Sequence, residues 1–274
     1  MEDRVYIVST PIGNLEDMTF RAVKVLKEVD VILCEDTRHS IKLLNHFEIK
    51  NKLISYHKFN EKERIDYILS LINENKTLAL ISDAGTPLIS DPGNILVKEL
   101  IENDIKFTVV PGANALLPAL ILSGFNSEEF LFIGFLPKKN NKKEEKLNTL
   151  KDFDKTLIFY SSPYELIDMI NSIDNVLGDR KTSISKEITK LHETTYRGTP
   201  KELIAMLNDM EIKGEFVIVV EGNKEEKKLL TKEEAKQIFD MEIQKGGHPK
   251  DLIKKLAKEN NLNKRELYNY LMKK

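Results

Sequence analysis

The first 110 residues alternate short, almost wholly apolar runs with segments of helical spacing, and this alternation restricts the fold more than any other feature of the chain. Val5 to Ser9, Val31 to Cys34, Leu53 to Tyr56, Leu78 to Ile81 and Phe107 to Val110 are all of strand length. Ala22, Leu26 and Val29 share one face of an intervening helix. Ile65, Ile68, Leu69 and Ile72 share a face of another, which opens on Asn60 and Glu63 as a capping-box-like start. A strand without a polar face has to be covered on both sides, and helices that connect successive strands supply that cover. The expected result is a mainly parallel sheet.

After Pro111-Gly112-Ala113-Asn114-Ala115 the texture changes. A small apolar helix ends at Gly124, and strands are expected at Phe130 to Gly134, Leu157 to Tyr160, Thr182 to Ser185 and Phe216 to Val220. Helices fall near Leu166 to Ile173 and Leu203 to Met210, and Lys138 to Lys151 is a lysine-rich excursion. This reads as a second α/β domain with more antiparallel character. The last fifty residues read as helices only. His248 to Glu259 and Asn263 to Met272 are two short patterns about a tight turn at Asn260-Asn261-Leu262, with Asn263 as N-cap. Leu252, Leu256, Leu262, Leu267 and Leu271 would form their shared core. The organisation is therefore 1–115, 116–223 and a helix-turn-helix-like tail, 224–274.

Charge separates these parts. The chain carries a net −2, yet Lys224 to Lys274 holds 14 basic against 9 acidic residues, a net +5, which leaves −7 for the rest. A basic end on an acidic body suits a polyanionic partner, with Lys264 and Arg265 against a phosphate backbone. The same helix pair would serve equally as a stabilising cap.

Several classes are disfavoured. No run approaches 18 apolar residues, so no membrane span is expected. The chain enters its first strand directly after Met1-Glu2-Asp3-Arg4 and has a single cysteine, Cys34, both of which read as cytoplasmic. There is no phosphate-binding P-loop, no G-x-G-x-x-G after the first strand and no G-x-S-x-G elbow. The five histidines are dispersed, so no metal site is expected.

What remains is the segment Ser82-Asp83-Ala84-Gly85-Thr86-Pro87-Leu88-Ile89-Ser90-Asp91-Pro92-Gly93, directly after a buried strand. Glycine lets backbone approach a ligand closely, and proline needs no partner for an N–H. A loop at the carboxyl end of such a strand is the usual ligand crevice. Asp83 and Asp91 bring negative charge there, which suits a cationic or polyhydroxyl ligand over a phosphate-rich one. Pro11-Ile12-Gly13-Asn14 and Pro111-Gly112-Ala113-Asn114 end two other strands and would share the same rim.

Tyr6 to Leu15, Glu35-Asp36-Thr37-Arg38, Ser82 to Gly93, Gly134-Phe135-Leu136-Pro137, Lys186 to Glu193, Arg197-Gly198 and Gly214-Glu215, in this order, resemble the bacterial 16S ribosomal RNA methyltransferases of the tetrapyrrole-methylase (class III) superfamily. The resemblance covers essentially the whole chain. It implies two α/β domains of the tetrapyrrole-methylase type and a homodimer. It also implies S-adenosylmethionine-dependent 2′-O-methylation of a cytidine in the decoding region of 16S RNA, the substrate being the RNA or the small ribosomal subunit. By position in the family pattern, Pro11, Ile12, Asp83, Gly85, Thr86, Pro87, Ile89, Asn114 and Ala115 should bind the cofactor. Ser162, Pro163 and Val217 should close the pocket from the second domain. The chain departs from the pattern at Phe59, Ser161, Tyr164 and Glu165, which argues against essential chemistry there.

A ribose hydroxyl is a poor nucleophile until its proton leaves. Glu187 is a candidate base, and Lys190 or Arg38 could hold a phosphate or stabilise the alkoxide, with Asp36 beside Arg38. Glu187 and Lys190 could instead be a structural ion pair. Two other readings stay open: a superfamily methylase acting on a tetrapyrrole or other small molecule, and an RNA-binding module without catalysis.

Overall fold

The five apolar runs of the first half become one parallel sheet: β1 (Val5–Val8), β2 (Val31–Cys34), β3 (Lys52–Ser55), β4 (Leu78–Ile81) and β5 (Phe107–Val110), in the order β3-β2-β4-β1-β5. A computed structural model describes residues 4–224, 231–259 and 262–272. Every residue of β1, β2 and β4 is buried. Side chains alternate along a strand, so the two faces make two cores. Ile7, Leu33 and Leu80 pack under α3 (Glu61–Asn73) and α4 (Asn94–Glu102). Val8, Ile32 and Ile81 pack under α1 (Phe20–Glu28) and α2 (Thr37–His46). Cys34 lies in this second layer as a buried free thiol, the small core residue its place in the strand suggested.

Two local readings change. The helix α2, which buries only Ser40 and Leu44, was not anticipated. Asn60 does precede α3, but its side chain makes no cap. Its Oδ1 accepts from the His57 N–H and its amide donates to the Ser55 carbonyl. The acidic residue that matters is Glu61, whose carboxylate is buried.

The second sheet runs β6 (Phe130–Phe135), β7 (Thr156–Ser161), β10 (Phe216–Val220), β8 (Thr182–Lys186), β9 (Thr194–Gly198) in spatial order. Only β6 and β7 are parallel; the other pairs are antiparallel, as the texture of this half implied. The strand β9 escaped the sequence reading because it is a polar, part-exposed edge. One face is covered by α5 (Leu116–Ser123), whose Leu120 packs with Ile158 and Val217. The other carries α7 (Leu166–Leu177) and α8 (Pro200–Asn208) on a core around Phe159 and Ile218. The lysine-rich excursion folds as α6 (Asn140–Asn148) and is anchored through the buried Lys143, which pairs with Asp168 of α7.

Both sheets belong to one compact unit, Met1–Asn223. The remainder, Lys224–Lys274, is a second unit with its own core of Phe239, Ile253, Leu256, Leu267 and Leu271. Its helices are α9 (Lys232–Gln244), α10 (Pro249–Glu259) and α11 (Lys264–Leu271). Asn263 caps α11, its side chain accepting from the Arg265 and Glu266 N–H groups. Asn260 and Asn261 of the expected turn lie outside the described residues. Among those residues no helix is long and apolar enough to cross a membrane.

One buried carboxylate ties the first sheet's helices to its rim. Glu61 Oε1 accepts from the Gly93 N–H (2.7 Å) and from the Tyr56 hydroxyl (3.1 Å). Truncation would leave two buried donors unpaired, at about 1–3 kcal/mol each. Glu61→Ala is expected to lower the melting temperature by roughly 5–10 °C, whereas Glu61→Gln, which keeps the acceptor, loses less. Equal melting of Glu61→Ala and the wild-type protein by calorimetry would refute this anchor.

Candidate functional site

The order β4-β1-β5 makes the carboxyl-end loops of these strands neighbours, and their backbones bond directly. Thr10 and Gly85 exchange N–H···O bonds of 2.8 and 3.0 Å. The Ser9 and Thr86 hydroxyls are 2.9 Å apart, and Thr86 donates to the Ala113 carbonyl at 3.1 Å. The three Gly/Pro turns therefore form one rim, as their sequence positions implied. Within the loop after β4, Gly85, Leu88, Ser90 and Gly93 all take positive φ. At Gly93 (φ +133) a Cβ would also press on Leu88 and Leu80, so only glycine fits there. Leu88 and Ser90 hold this conformation despite their side chains, and such strain collects at functional sites.

Above this rim lies a cleft of about 400 Å³, within the usual range for a small-molecule site. Ile12, Asp83, Gly85, Thr86 and Ile89 line it from the first sheet, together with Asn114 and Ala115. Ser162, Pro163 and Val217 line it from the second. Two anticipated residues do not reach it: Pro11 faces an adjoining cavity, and Pro87 lines neither. Several lining residues carry no assigned role in the sequence reading: Tyr160 only closes an expected strand, and Phe135 and Glu215 stand only within family motifs. Tyr160 stacks edge-on against Phe132 and Phe135, with centroids 4.9 and 5.6 Å away. An apolar strand ending in Phe-Tyr was the available signal, but core packing explains such a pattern as well.

The electrostatics are set by carboxylates crowded behind the loop. Burial, then the neighbouring Glu35 and Asp83 charges, push the Asp91 carboxyl up to about 6, while a bond from Ser82 works against the rise. Burial and Asp83 also raise Glu35, with His57 opposing. Asp83 accepts from the Asp36 N–H at 3.2 Å, which joins the loop after β2 to this cluster. Burial pushes the Tyr160 hydroxyl up to about 12, so it stays protonated as a donor. No group of three or more His, Cys, Asp or Glu side chains among the described residues is placed to hold a metal.

The residues expected to carry acceptor chemistry are engaged with one another. Lys190 Nζ reaches Glu187 (3.0 Å) and Glu215 (3.1 Å), and Glu187 also accepts from the Glu215 N–H (3.0 Å). Burial works against ionisation of Glu187, but that N–H and the Lys190 ammonium outweigh it and hold the carboxyl below its usual range. Glu187 lines neither cavity, and Lys190 faces the adjoining one. Arg38 and Asp36 form an exposed bidentate pair at the start of α2, which holds the Asp36 carboxyl down at about 2. The loop around Lys190 also joins the two halves: the Asn14 N–H donates to Thr189 Oγ1 at 3.2 Å, and a Cβ on Gly13 would overlap the Lys190 side chain.

Residues 4–204 match the family of Tetrapyrrole (Corrin/Porphyrin) Methylases. The chain is 44% identical over 269 residues to the ribosomal RNA small subunit methyltransferase I of Halalkalibacterium halodurans, covering 97% of this chain and 93% of that one. It is 42% identical over 271 residues to the protein of the same name from Bacillus subtilis, covering 96% and 92%. Among solved structures, uroporphyrin-III C-methyltransferase of Thermus thermophilus, complexed with S-adenosylhomocysteine, has a TM-score of 0.56 at 18% identity. That likeness covers 80% of this chain and 97% of the other, and shows the fold.

The raised Asp91 carboxyl makes ligand affinity depend on pH. Below about pH 6 it is neutral and above it anionic, so a cationic ligand gains affinity as the pH climbs through that value. For the unliganded protein the sign is opposite. The stability contributed by a raised acid is full below about pH 4 and lost as the pH rises through about 6. Calorimetric titration near pH 5 and pH 7.5 should show S-adenosylmethionine, charged at sulfur, gaining more than neutral S-adenosylhomocysteine. Equal gains for the two would show that the Asp91 charge does not reach the ligand.

Proposed function

The chain belongs to the tetrapyrrole methylase superfamily and, within it, to the ribosomal RNA small subunit methyltransferase I family, and we propose that it methylates the ribose 2′-hydroxyl of a cytidine in the decoding region of 16S ribosomal RNA. The methyl donor is S-adenosylmethionine, which supplies an electrophilic methyl group on a positively charged sulfur. The residues present fit that donor. The cleft has the volume for it, the Asp83 and Asp91 carboxylates suit a cation, and the rim offers backbone groups and Tyr160 to polar and flat portions. The carrying observation is this cleft on a chain whose relatives match it nearly end to end.

We assign Ile12, Gly85, Thr86, Ile89, Asn114 and Ala115 to holding the donor from one side and Ser162, Pro163 and Val217 from the other, with Pro11 and Pro87 shaping the loops behind them. Lys190 steadies negative charge on the acceptor oxygen. Glu187 and Glu215 position Lys190, and the low-lying Glu187 carboxyl is a weak base. Arg38, held by Asp36, meets the approaching RNA. Lys254, Lys255, Lys264 and Arg265 are exposed on the tail helices and add a second basic surface for the same polyanion. Leu117 and Ile121 point outward on α5, the latter 75% exposed, and offer an apolar face for pairing with a second copy. A ribosomal substrate places the enzyme in the cytoplasm.

Incubation of the protein with labelled S-adenosylmethionine and, separately, undermethylated small subunits, free 16S RNA and a porphyrin precursor tests this reading. Label is expected in the RNA and, after digestion, in 2′-O-methylcytidine. Label confined to the porphyrin would overturn it, and label on a base would overturn the ribose assignment.

A further inference from the structure

A second cavity, of about 370 Å³, adjoins the donor cleft, and Ile12, Asp83, Ala84 and Glu215 line both. The rest of the wall is Pro11, Gly13 and Leu15 after β1, Lys190, and His39, Lys42 and Leu43 on α2, a helix with no part in the donor cleft. In-line methyl transfer requires the acceptor atom within about 3–3.5 Å of the methyl carbon. A cavity that shares four lining residues with the donor cleft is a place from which an acceptor can come that close.

The chemistry of this cavity is that of a nucleotide site. His39 and Lys42 are three residues apart and share one face of α2. Both are exposed, and among the described residues neither is in an ion pair. Arg38, by contrast, is committed to Asp36 through both of its carboxylate oxygens. Leu15 and Leu43 give the cavity an apolar side, suited to the flat face of a base or the edge of a sugar. Lys190 enters from the second domain at the wall nearest the donor. Lys42 and His39 thus line the cavity from α2, Leu15 and Leu43 line it as apolar groups, and the carboxylates Asp83 and Glu215 line the wall shared with the donor cleft.

We propose that this cavity is the acceptor-nucleotide subsite, in which Lys42, with His39 beside it, holds a phosphate of the RNA strand while Leu15 and Leu43 support the nucleoside. It rests on the ribosomal RNA reading. Asp83 and Glu215 are then the carboxylates nearest the acceptor hydroxyl, a place that Glu187 does not occupy. Sequence-specific RNA recognition mostly takes unstacked single-stranded nucleotides, whose base faces and pairing edges are free to be bound.

Lys42→Glu tests the subsite, since an exposed side chain can be reversed in charge without disturbing the core. With small subunits or 16S RNA as acceptor, KM is expected to rise by about tenfold or more, with kcat changed far less. The Kd for S-adenosylmethionine, by calorimetry, stays within about twofold, because Lys42 does not line the donor cleft. Lys42→Arg restores KM, and the slope of log affinity against log salt falls by about one unit in Lys42→Glu. Wild-type KM in Lys42→Glu, or lost donor binding with an unchanged melting curve, overturns the subsite while leaving RNA methylation intact. A wild-type protein that labels neither subunits nor RNA overturns the ribosomal reading and the subsite with it.

Discussion

The backbone of the loop between Ser82 and Gly93 is the constraint on which the site depends. Four of its twelve residues lie in the left-handed region, and two of these are not glycine. Each such residue costs on the order of 1–3 kcal/mol and persists only where its surroundings leave no alternative. Those surroundings are three sets of bonds from three different elements. Gly85 is paired with Thr10 at the end of β1, Thr86 is bonded to Ser9 and to the Ala113 carbonyl beyond β5, and Gly93 is held by Glu61 from α3. The first two would not reach the loop if β4, β1 and β5 were not neighbours. The strand order is therefore a requirement of the site, and not only a way of burying apolar runs.

The same loop concentrates charge. Burial pushes both Glu35 and Asp91 upward, the Asp83 charge raises both further, and Glu35 raises Asp91. Such a cluster opposes folding near neutral pH. A bound cation reverses the balance, because the field that disfavours three carboxylates together favours a positive sulfur placed among them. The Asp83 carboxylate is held in place before the ligand arrives, by the Asp36 N–H. Its orientation therefore need not be established at the moment of binding.

Much of this was legible in the sequence, for specific reasons. Continuous apolar runs such as Leu78 to Ile81 admit one reading at that length, and Gly/Pro turns at their ends announce a rim. Phe216 to Val220 follows the same rule. The misses share a different cause. The helix α2 and the strand β9 bury little. Asn60 has the chemistry of a cap but spends its side chain on His57 and Ser55, a choice fixed by tertiary contacts. Glu187 and Lys190 were recognisable as a pair. That Glu215, 28 residues further on, shares Lys190 and donates its N–H to Glu187 depends on β8 and β10 being adjacent, which spacing alone does not reveal.

The division of labour between the two halves follows from where the close contacts fall. The cleft is walled by both sheets, so it is complete only where the two halves meet. The loop carrying Glu187 and Thr189 crosses to the first half with both residues in the left-handed region, a conformation that needs outside support. Gly13 supplies part of that support by having no side chain where Lys190 passes, and Asn14 supplies the rest through Thr189. Lys190 thereby stands beside Pro11 and Ile12 at the edge of the second cavity, on the side where the donor cleft meets it. The contact that joins the two halves here therefore also fixes the Lys190 ammonium against Glu215, a residue that lines both cavities.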